Sequence, residues 1–321
     1  MNDILNFSPE PCREWSDRQI HEALTIAPLE YLTYIRKSLN DIAIGAVAHE
    51  TPPKQIITDD NGDFRSMPSV IFRNSTFSKI VKIVGTNNKQ IDVLGRITVG
   101  KAFNLHPIEN YITDIFDANI LSSARTGAIA AIAAELLTSR KQDTMIIGCG
   151  NVGYYCAFYS AILGGTRTIN FLDKNQEKAN KFAKFFSNLF PNIRCISAGH
   201  MPSLVICATN SKTPVIVPHM VDTASTIISV GADTVDQREL APSWFKHANI
   251  YVDSYDALRY GDCNAWHLNE KDVTLLAALF DPNIKMQQPH KQNIFITTGN
   301  ALFDNLTIEY LLNGPFKSTV N

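Results

Sequence analysis

The spacing of apolar residues divides the chain into three stretches of different rhythm. Over residues 17–46, apolar residues recur at spacings of three to five, which predicts a helical region, and Pro28 divides it into two helices. Short runs rich in β-branched residues follow from Lys54 to Ile115. Turn formers such as Asp60-Asn61-Gly62 separate these runs, so this stretch is predicted to form an antiparallel or mixed sheet.

The third stretch begins with an alanine-rich helix, predicted over 122–141, and continues as a regular alternation of strands and helices. Its strands are apolar throughout, which is typical of parallel strands that are buried on both faces and joined by helical crossovers. The predicted strands are 144–148, 168–173, 204–209, 226–231 and 249–254. Helices are predicted near Asn151, near Asn175, within Pro214–Asp222 and near Arg238.

These patterns predict an α/β fold class. We expect a Rossmann-type doubly wound parallel sheet over roughly 140–280, together with a mixed α+β domain. The sequence LFDNLTIEYLL, at 302–312, predicts a last helix that packs back on the first domain.

Composition and charge exclude several classes of function. The 321 residues carry 29 Lys+Arg against 31 Asp+Glu, a net charge of −2 without a basic block, so we expect no nucleic-acid partner and no membrane surface. The most apolar helical stretch, 126–137, carries Glu135 and is shorter than the roughly 20 residues that a membrane span needs. The first fifteen residues lack the apolar core of a signal peptide. Six scattered cysteines fit no zinc site and predict buried thiols of a reducing compartment, so we expect a soluble, cytoplasmic protein without a metal.

A glycine-rich turn at the start of the alternating region is the strongest local signal for a ligand. Gly148, Gly150 and Gly153 form a GxGxxG motif that follows the first parallel strand and opens a helix. Gly148 permits a tight turn, Gly150 lets the backbone approach a pyrophosphate, and Gly153 lets the helix lie close to the strand. The free N–H groups at the helix N-terminus, around Asn151 and Val152, would bind the phosphates.

An acidic residue at the end of the next strand extends this dinucleotide motif. Asp173 stands where a carboxylate accepts hydrogen bonds from the adenosine ribose and repels a 2′-phosphate, so the sequence favours NAD(H) over NADP(H), although two lysines lie nearby. Thr209 and Asn210, after a later strand, are further candidates for cofactor contact, but a plain strand-end turn explains them nearly as well. The alternative for the whole motif is a glycine turn in a sheet that binds no nucleotide.

An ordered set of short motifs resembles a known family. SARTGA at 123–128, followed by the alanine-rich helix and then IIGCGNVG, resembles the ornithine cyclodeaminase/mu-crystallin family. Further motifs similar to those of the family occur in the same order: Met67-Pro68 before Val81–Val84, Ser229–Asp233 before Arg238–Leu240, and Thr298–Ala301 before Asp304. The resemblance runs from about residue 50 to about residue 310.

The resemblance implies a homodimeric enzyme that acts by NAD(H)-dependent hydride transfer at the α-carbon of an L-amino acid, or of its imine or keto counterpart. It implies that residues 1–125 with 300–321 bind the substrate and dimerise, and that residues 126–299 bind NAD. Carried over by position, Lys82 would contact the substrate carboxylate or polarise its carbonyl or imine, and Asp233 would exchange protons with the amine or attacking water. The other implied contacts are Arg125, Lys54 and Met67 for the substrate, with Arg125 holding its carboxylate, and Val230 and Thr126 for the cofactor.

Several of these residues could have a purely structural role or a competitor. Lys79 competes with Lys82 for the catalytic role, Asp233 could cap a turn, and Asp304 could cap the last helix. Lys54 stands where many members of the family have an arginine, and a lysine keeps the charge but loses the bidentate geometry. The alternative function is a non-catalytic dinucleotide- or small-ligand-binding protein of the mu-crystallin type.

Overall fold

Seven strands form a mixed sheet in the structure, a computed structural model that describes residues 11–73, 76–87, 89–90, 92, 98–138, 142–197, 202–217, 220–221, 226–281 and 291–315. These strands are β1 Arg13–Trp15, β2 Ala48–Glu50, β3 Gln55–Asp59, β4 Gly62–Arg73, β5 Thr76–Thr86, β6 Thr98–Leu105 and β7 Ile112–Asp117. Their order is β1-β7-β6-β5-β4-β2, with β3 also paired to β4. The β1–β7 pair is parallel and the other pairs are antiparallel, which confirms the predicted antiparallel or mixed sheet.

Two helices lie near the start of the chain. Helix α1, Asp17–Ile26, begins with a capping box in which the side chains of Ser16 and Gln19 each bond the other residue's backbone. Helix α2, Pro28–Ala43, has its proline in the first turn, where a missing N–H leaves no hydrogen bond unmade. The predicted division of this region at Pro28 is confirmed.

Eight parallel strands within the described ranges form the second sheet. They are β8 Asp143–Ile147, β9 Thr168–Leu172, β10 Arg194–Ile196, β11 Leu204–Cys207, β12 Thr226–Ser229, β13 Ala248–Val252, β14 Thr274–Leu275 and β15 Gln292–Ile296, in the order β10-β9-β8-β11-β12-β15-β13-β14. The predicted fold class is therefore confirmed. Between β8 and β11 the strand order reverses direction, and doubly wound sheets bind their ligands at such a crevice.

The helices that precede and connect these strands agree with the prediction in part. They are α3 Ala118–Leu137, α4 Asn151–Leu163, α5 Gln176–Leu189 and the short α6 Gly261–Ala265. The helix predicted within Pro214–Asp222 is wrong for residues 214–217, where Ile216 forms an extended bridge to Leu240. Residues 218–219 and 222 of that segment lie outside the described residues.

The helix predicted near Arg238 is also wrong, for a reason that lies in the backbone. The N–H of Arg238 donates to the carbonyl oxygen of Ser211, and residues 215–216 exchange hydrogen bonds with 239–241. These bonds hold both segments extended, so the helical residues begin later, in a 3-10 helix at Pro242–His247.

The alanine-rich helix α3 lies in the larger hydrophobic core. Its twenty residues are long and apolar enough to cross a membrane by length and composition. The prediction that the apolar stretch is too short to span a membrane is therefore wrong. However, 78% of its apolar window is buried inside the protein, as in the core helix of a folded domain. Gly127 allows this close packing, because a Cβ there would lie 2.5 Å from the Cβ of Tyr155 on α4.

The last helix, α7 Ala301–Asn313, returns to the mixed sheet. The side-chain amide of Asn305 donates to the carbonyl oxygens of Ser69 and Ser78, at 3.1 and 3.2 Å, which ties α7 to β4 and β5. The predicted last helix and its packing on the first part of the chain are confirmed. The division into 1–125 with 300–321 and 126–299 stays a prediction.

The six cysteines differ in exposure. Four are buried, as predicted, but Cys12 is exposed and Cys195 is half-buried, so the prediction of buried thiols is wrong at these two positions. The reducing compartment that the cysteines suggested stays a prediction.

Candidate functional site

The glycine-rich turn between β8 and α4 has the shape that a dinucleotide pyrophosphate requires. Gly148 has a φ of 101°, and a Cβ there would lie 2.3 Å from the carbonyl oxygen of Ala208. A Cβ at Gly153 would lie 1.9 Å from the carbonyl oxygen of Gly148, so helix and turn meet backbone to backbone. Gly150 has nothing within 4 Å of its Cβ position, and as the N-cap residue it provides no side-chain cap for α4. The turn therefore fits a phosphate at the helix N-terminus, approached from the side of Gly150.

Asp173 follows β9 and lies against this turn. Its carboxylate accepts hydrogen bonds from the backbone N–H groups of Cys149 and Asn175, each at 2.8 Å. Each oxygen keeps a second lone pair, so the carboxylate can also accept bonds from ribose hydroxyls. Asn151 and Val152 form the start of α4, the first exposed and the second half-buried. The structure thus brings the predicted phosphate and ribose contacts together.

The ends of β8, β11 and β12 are neighbours, and three more predicted cofactor residues lie there. Thr209 donates through its N–H and its hydroxyl to Oε1 of Glu239, at 2.6 and 2.8 Å, which ties it into the fold. Asn210 is exposed, and Val230 is buried after β12. Thr126 lies on α3, where its hydroxyl donates to the carbonyl oxygen four residues earlier. Contact of these four residues with a cofactor stays a prediction.

Glu239, which belongs to the Arg238–Leu240 motif but had no predicted role, is fully buried where these strand ends meet. Its Oε2 atom accepts hydrogen bonds from the hydroxyl of Ser229 and the N–H of Gly231, at 2.7 and 2.9 Å. Burial raises the pKa of Glu239, and these hydrogen bonds oppose the rise. Glu239 therefore holds the turns after β11 and β12 together at the carboxyl edge of the sheet.

Lys82 and Arg125 meet at one buried carboxylate. The Nζ atom of Lys82 lies 2.6 Å from Oδ2 of Asp304 and 3.2 Å from the hydroxyl oxygen of Ser122. The Nε atom of Arg125 donates to the other oxygen, Oδ1, at 3.2 Å. Asp304 is 0% and Lys82 is 1% exposed. Burial lowers the pKa of Lys82 to about 8, although the negative charge of Asp304 acts in the opposite direction.

The structure bears on two of the alternatives that the sequence left open, the competing Lys79 and a capping role for Asp304. Lys79 lies on the opposite face of β5, where its Nζ atom donates to Asn110 at 2.8 Å. The cap of α7 is Asn300, whose side chain accepts a hydrogen bond from the N–H of Leu302 at 2.9 Å. Asp304 is consequently free of a capping role.

Arg65 is a second buried guanidinium, which sequence reasoning missed. It lies on the inner face of β4, and its Nε and Nη1 atoms donate to Asp63 and Asp233 at 2.7 and 2.6 Å. The side chain of Asp233 is 35% exposed. Burial raises the pKa of Asp233, but the positive charges of Arg65 and Lys54 outweigh this and hold it below the ordinary value. The sequence signal that could have identified Arg65 was the alternation of side chains along β4, which places Arg65 on the same face as Met67.

Lys54 reaches from the mixed sheet to the end of the parallel sheet. Its Nζ atom donates to the carbonyl oxygens of Thr298 and Asp233, at 2.7 and 3.1 Å, and lies 3.9 Å from the ring centroid of Tyr260. Burial lowers the pKa of Lys54 to about 8. The lysine in place of the family's arginine is therefore held by carbonyl oxygens and an aromatic face.

Lys54 and Met67 line a cavity of about 210 Å³, whose other walls are formed by 51–53, 254–256 and 299–301. Gly299, with a φ of 87°, forms the wall near Arg125: a Cβ there would lie 3.3 Å from Nη2 of the guanidinium. The cavity therefore opens beside both predicted substrate-binding cations.

Asp253, at the end of β13, is another acidic residue that sequence reasoning missed. Its Oδ2 atom accepts a hydrogen bond from the hydroxyl of Thr297 at 2.6 Å, and its buried Oδ1 atom has no partner among the described residues. Burial raises the pKa of Asp253 to about 6, against the positive charges of Arg125 and Lys54. Lys54 and Asp256 line the cavity and Arg125 lies at its Gly299 wall, so the cavity suits a charged substrate.

Comparisons with known proteins identify similar sequences and folds. The ornithine cyclodeaminase/mu-crystallin family matches residues 16–305. The alanine dehydrogenase of Archaeoglobus fulgidus is 23% identical over 240 residues, which cover 72% of this chain and 71% of that protein. The structure of an archaeal alanine dehydrogenase dimer with bound NAD has a TM-score of 0.84 at 19% identity and covers 97% of this chain and 98% of its own. The structure of Thermococcus litoralis Δ1-pyrroline-2-carboxylate reductase with NADH and L-proline has a TM-score of 0.84 at 18% identity, with coverage of 96% and 98%.

Proposed function

This chain belongs to the ornithine cyclodeaminase/mu-crystallin family, and we propose that it is an NAD(H)-dependent enzyme that acts at the α-carbon of an L-amino acid, or of its imine or keto counterpart. The observation that carries the proposal is the buried Lys82–Asp304–Arg125 cluster, which adjoins the cavity at Gly299. The named relatives, an alanine dehydrogenase and a pyrroline-2-carboxylate reductase, support this class of reaction.

Arg125 is suited to bind the carboxylate of such a substrate. Its Nε atom is engaged by Asp304, and none of the described residues accepts a hydrogen bond from its two terminal nitrogens. These nitrogens lie at the Gly299 wall of the cavity, so a carboxylate could bind them through two parallel hydrogen bonds. Lys54, which lines the same cavity, adds a second positive charge.

Lys82 and Asp233 are suited to move protons at the substrate. Lys82 would donate a hydrogen bond or a proton to the carbonyl oxygen or imine nitrogen, and its lowered pKa makes that donation easier. Asp233, held as a carboxylate by Arg65, would take a proton from the amine or from an attacking water. Bound NAD(H) supplies hydride transfer to or from the α-carbon.

The test of this function is turnover of small substrates by the purified protein. We expect a change in the absorbance of reduced nicotinamide with one or more L-amino acids, cyclic imines, or keto acids plus ammonia. A product formed with catalytic NAD and no net absorbance change would instead indicate cyclodeamination. We also expect NADH to bind more tightly than NADPH because of Asp173, and a reversed preference would contradict that role.

The mu-crystallin-type binding protein is the alternative that this experiment distinguishes. Its supporting observation is the 2.6 Å ion pair between Arg65 and Asp233, since a carboxylate held in this way is a weak base. Binding of NADH without turnover of any substrate in the panel would favour that alternative.

Two glycines of the dinucleotide turn provide a paired prediction. We expect Gly150→Val to weaken NADH binding by about tenfold or more without lowering the melting temperature, because its side chain would enter the open space needed by the pyrophosphate. Gly153→Ala should instead destabilise the fold by about 1–3 kcal/mol, because its Cβ meets the backbone of Gly148. Calorimetric titration with NADH and thermal unfolding separate the two effects. Equal loss of melting temperature in both variants would contradict this division of roles.

A homodimer is part of the proposal, and the outer face of the mixed sheet is its proposed interface. Ile57, Phe64, Phe77 and Ile83 share the face of β3, β4 and β5 turned away from α7, and they are 60, 52, 41 and 46% exposed. Contiguous exposed apolar side chains of this kind mark interaction surfaces. The archaeal alanine dehydrogenase of similar fold is described as a dimer.

Light scattering after size exclusion tests the dimer. We expect a mass of twice 35.7 kDa for the unmodified protein and a shift to monomer for Ile83→Glu, because a charge would be buried in the interface. Leu29→Glu is the matched control, since Leu29 is 57% exposed on α2 and lies outside this face. A monomeric unmodified protein at micromolar concentration would contradict the proposal.

A further inference from the structure

Asp304 joins two positively charged side chains that come from distant parts of the chain. It lies in the first turn of α7, whereas Lys82 lies on β5 and Arg125 on α3. Its two oxygens contact these cations at 2.6 and 3.2 Å, and no other side chain in the described ranges donates to it. One carboxylate therefore serves two cations in a fully buried position.

We propose that Asp304 is a positioning residue, which keeps Lys82 in its ammonium form and aims the terminal nitrogens of Arg125 at the cavity. Its catalytic meaning rests on the proposed function, but the contacts that carry it lie within the protein itself. Asn300 already caps α7, so the helix does not need Asp304 for that purpose. The hydrogen bond that Nε of Arg125 donates to Asp304 orients the guanidinium and leaves its other edge at the Gly299 wall.

The charges around Lys82 show why its ammonium form depends on Asp304. Burial is the main reason that the pKa of Lys82 is lowered to about 8; Arg125 and Lys54 act in the same direction, and Asp304 opposes them. The residues paired with Lys82 on the neighbouring strands, Met67 on β4 and Ala102 on β6, carry no charge. Removal of the Asp304 charge would leave a buried ammonium beside two cations.

Two other titratable groups face the cluster without replacing Asp304. Tyr31 on α2 interacts with Arg125 and Asp304, but burial raises the pKa of its hydroxyl well above the ordinary value and keeps it neutral. Asp253, after β13, interacts with Arg125 and Lys54, and burial favours its protonated form at mildly acidic pH. Asp304 is therefore the carboxylate in direct contact with Lys82.

The direct test is the titration of Lys82 in the ligand-free protein. The side-chain NMR signal of Lys82, in protein labelled with ¹³C-lysine, is assigned by its loss in Lys82→Met. In Asp304→Asn we expect the pKa of Lys82 to fall by at least about one unit, a tenfold lower ratio of ammonium to amine at a given pH. The same pKa in Asp304→Asn and in the unmodified protein would overturn the proposal.

A second variant keeps the test decisive if Asp304→Asn does not fold. Arg125→Gln removes the competing cation, so the shared carboxylate should serve Lys82 alone and the pKa of Lys82 should rise. An unchanged or lower pKa in Arg125→Gln would contradict the coupling. Glu309→Gln is the control, because Glu309 lies on the same helix but pairs with Arg73, at 2.7 Å, and the titration of Lys82 should not change.

The pH dependence of kcat/KM separates this proposal from the proposed function. If the ammonium form of Lys82 is the donor, activity is lost as the pH rises through the pKa of Lys82. In Asp304→Asn this loss of activity should occur at lower pH. If Asp304→Asn is active but its activity is lost at the same pH as in the unmodified protein, the positioning role is refuted and the proposed function stands. If the protein turns over no substrate but the pKa of Lys82 shifts as expected in the NMR titration, the proposed reaction is refuted and the positioning of Lys82 stands.

Discussion

Replacing Asp233 by asparagine should lower kcat by about 10²–10⁴-fold, the usual contribution of a positioned acid or base. Asparagine keeps the size of the side chain and can still accept a hydrogen bond from Arg65, but it cannot take a proton from the amine or water. NADH binding should be preserved, because the proposed phosphate and ribose contacts lie at the glycine-rich turn. Steady-state kinetics and calorimetric titration with NADH measure the two quantities.

Asp63→Asn is the matched control for this variant. Asp63 is the other carboxylate that pairs with Arg65, at 2.7 Å from its Nε atom, so the substitution disturbs the same guanidinium but leaves the carboxylate of Asp233 in place. We expect a much smaller effect on kcat. Equal losses in the two variants would mean that the Arg65 network, and not proton transfer at Asp233, limits activity. Turnover near the unmodified level in Asp233→Asn would remove this residue from the reaction.

Replacing Arg125 by alanine should raise KM and lower kcat/KM by roughly 30- to 1,000-fold, which corresponds to a loss of about 2–4 kcal/mol of transition-state stabilisation. The reason is the loss of the two terminal nitrogens that lie at the Gly299 wall of the cavity. Arg125→Lys should recover only part of the loss, because an ammonium keeps the charge but not the paired hydrogen bonds. Kinetics across substrate concentration, at fixed NADH or NAD, provide the measurement.

The control for Arg125 is another arginine that contacts α3. Arg36 pairs with Glu135 at 2.6 Å, but its side chain is 47% exposed and does not line the cavity. Arg36→Ala should therefore leave kcat/KM near the unmodified value. Near-normal kinetics in Arg125→Ala would show that another cation binds the carboxylate, and Arg65 or Lys54 would be the next residue to test.

Local patterns predicted five of the eight parallel strands in the described ranges, because the signals of those strands are local. The strands that were predicted are continuous apolar runs, and the close approach of Gly153 to Gly148 lies within one strand, turn and helix. The failures lie where distant segments decide the structure. Residues 214–217 are extended because they pair with the segment around Leu240, and β15 lies between β12 and β13 although its own sequence does not specify its neighbours.

The candidate site follows the same rule. Lys82, Arg125 and Asp233 were found through a resemblance, since no spacing in the sequence links Lys82 to a carboxylate 222 positions away. Arg65 was missed because an arginine on a strand is ordinarily a solvated side chain, and its burial becomes visible only when both Asp63 and Asp233 are placed around it. The sequence left open whether Lys79 or Lys82 has the catalytic role; the two lie on opposite faces of β5, and the contact of Lys82 with Asp304 favours Lys82 for the proposed role.

The return of α7 to the mixed sheet has a consequence for how the protein is made. Ribosomal synthesis releases Lys82 and Arg125 long before Asp304, which follows them by 222 and 179 residues. Until the final helix docks, the nascent chain has two cationic side chains with no shared counter-charge between them. The set of side chains proposed for catalysis is thus completed only after α7 has been synthesised, and a chain that stops before this helix would be expected to lack it.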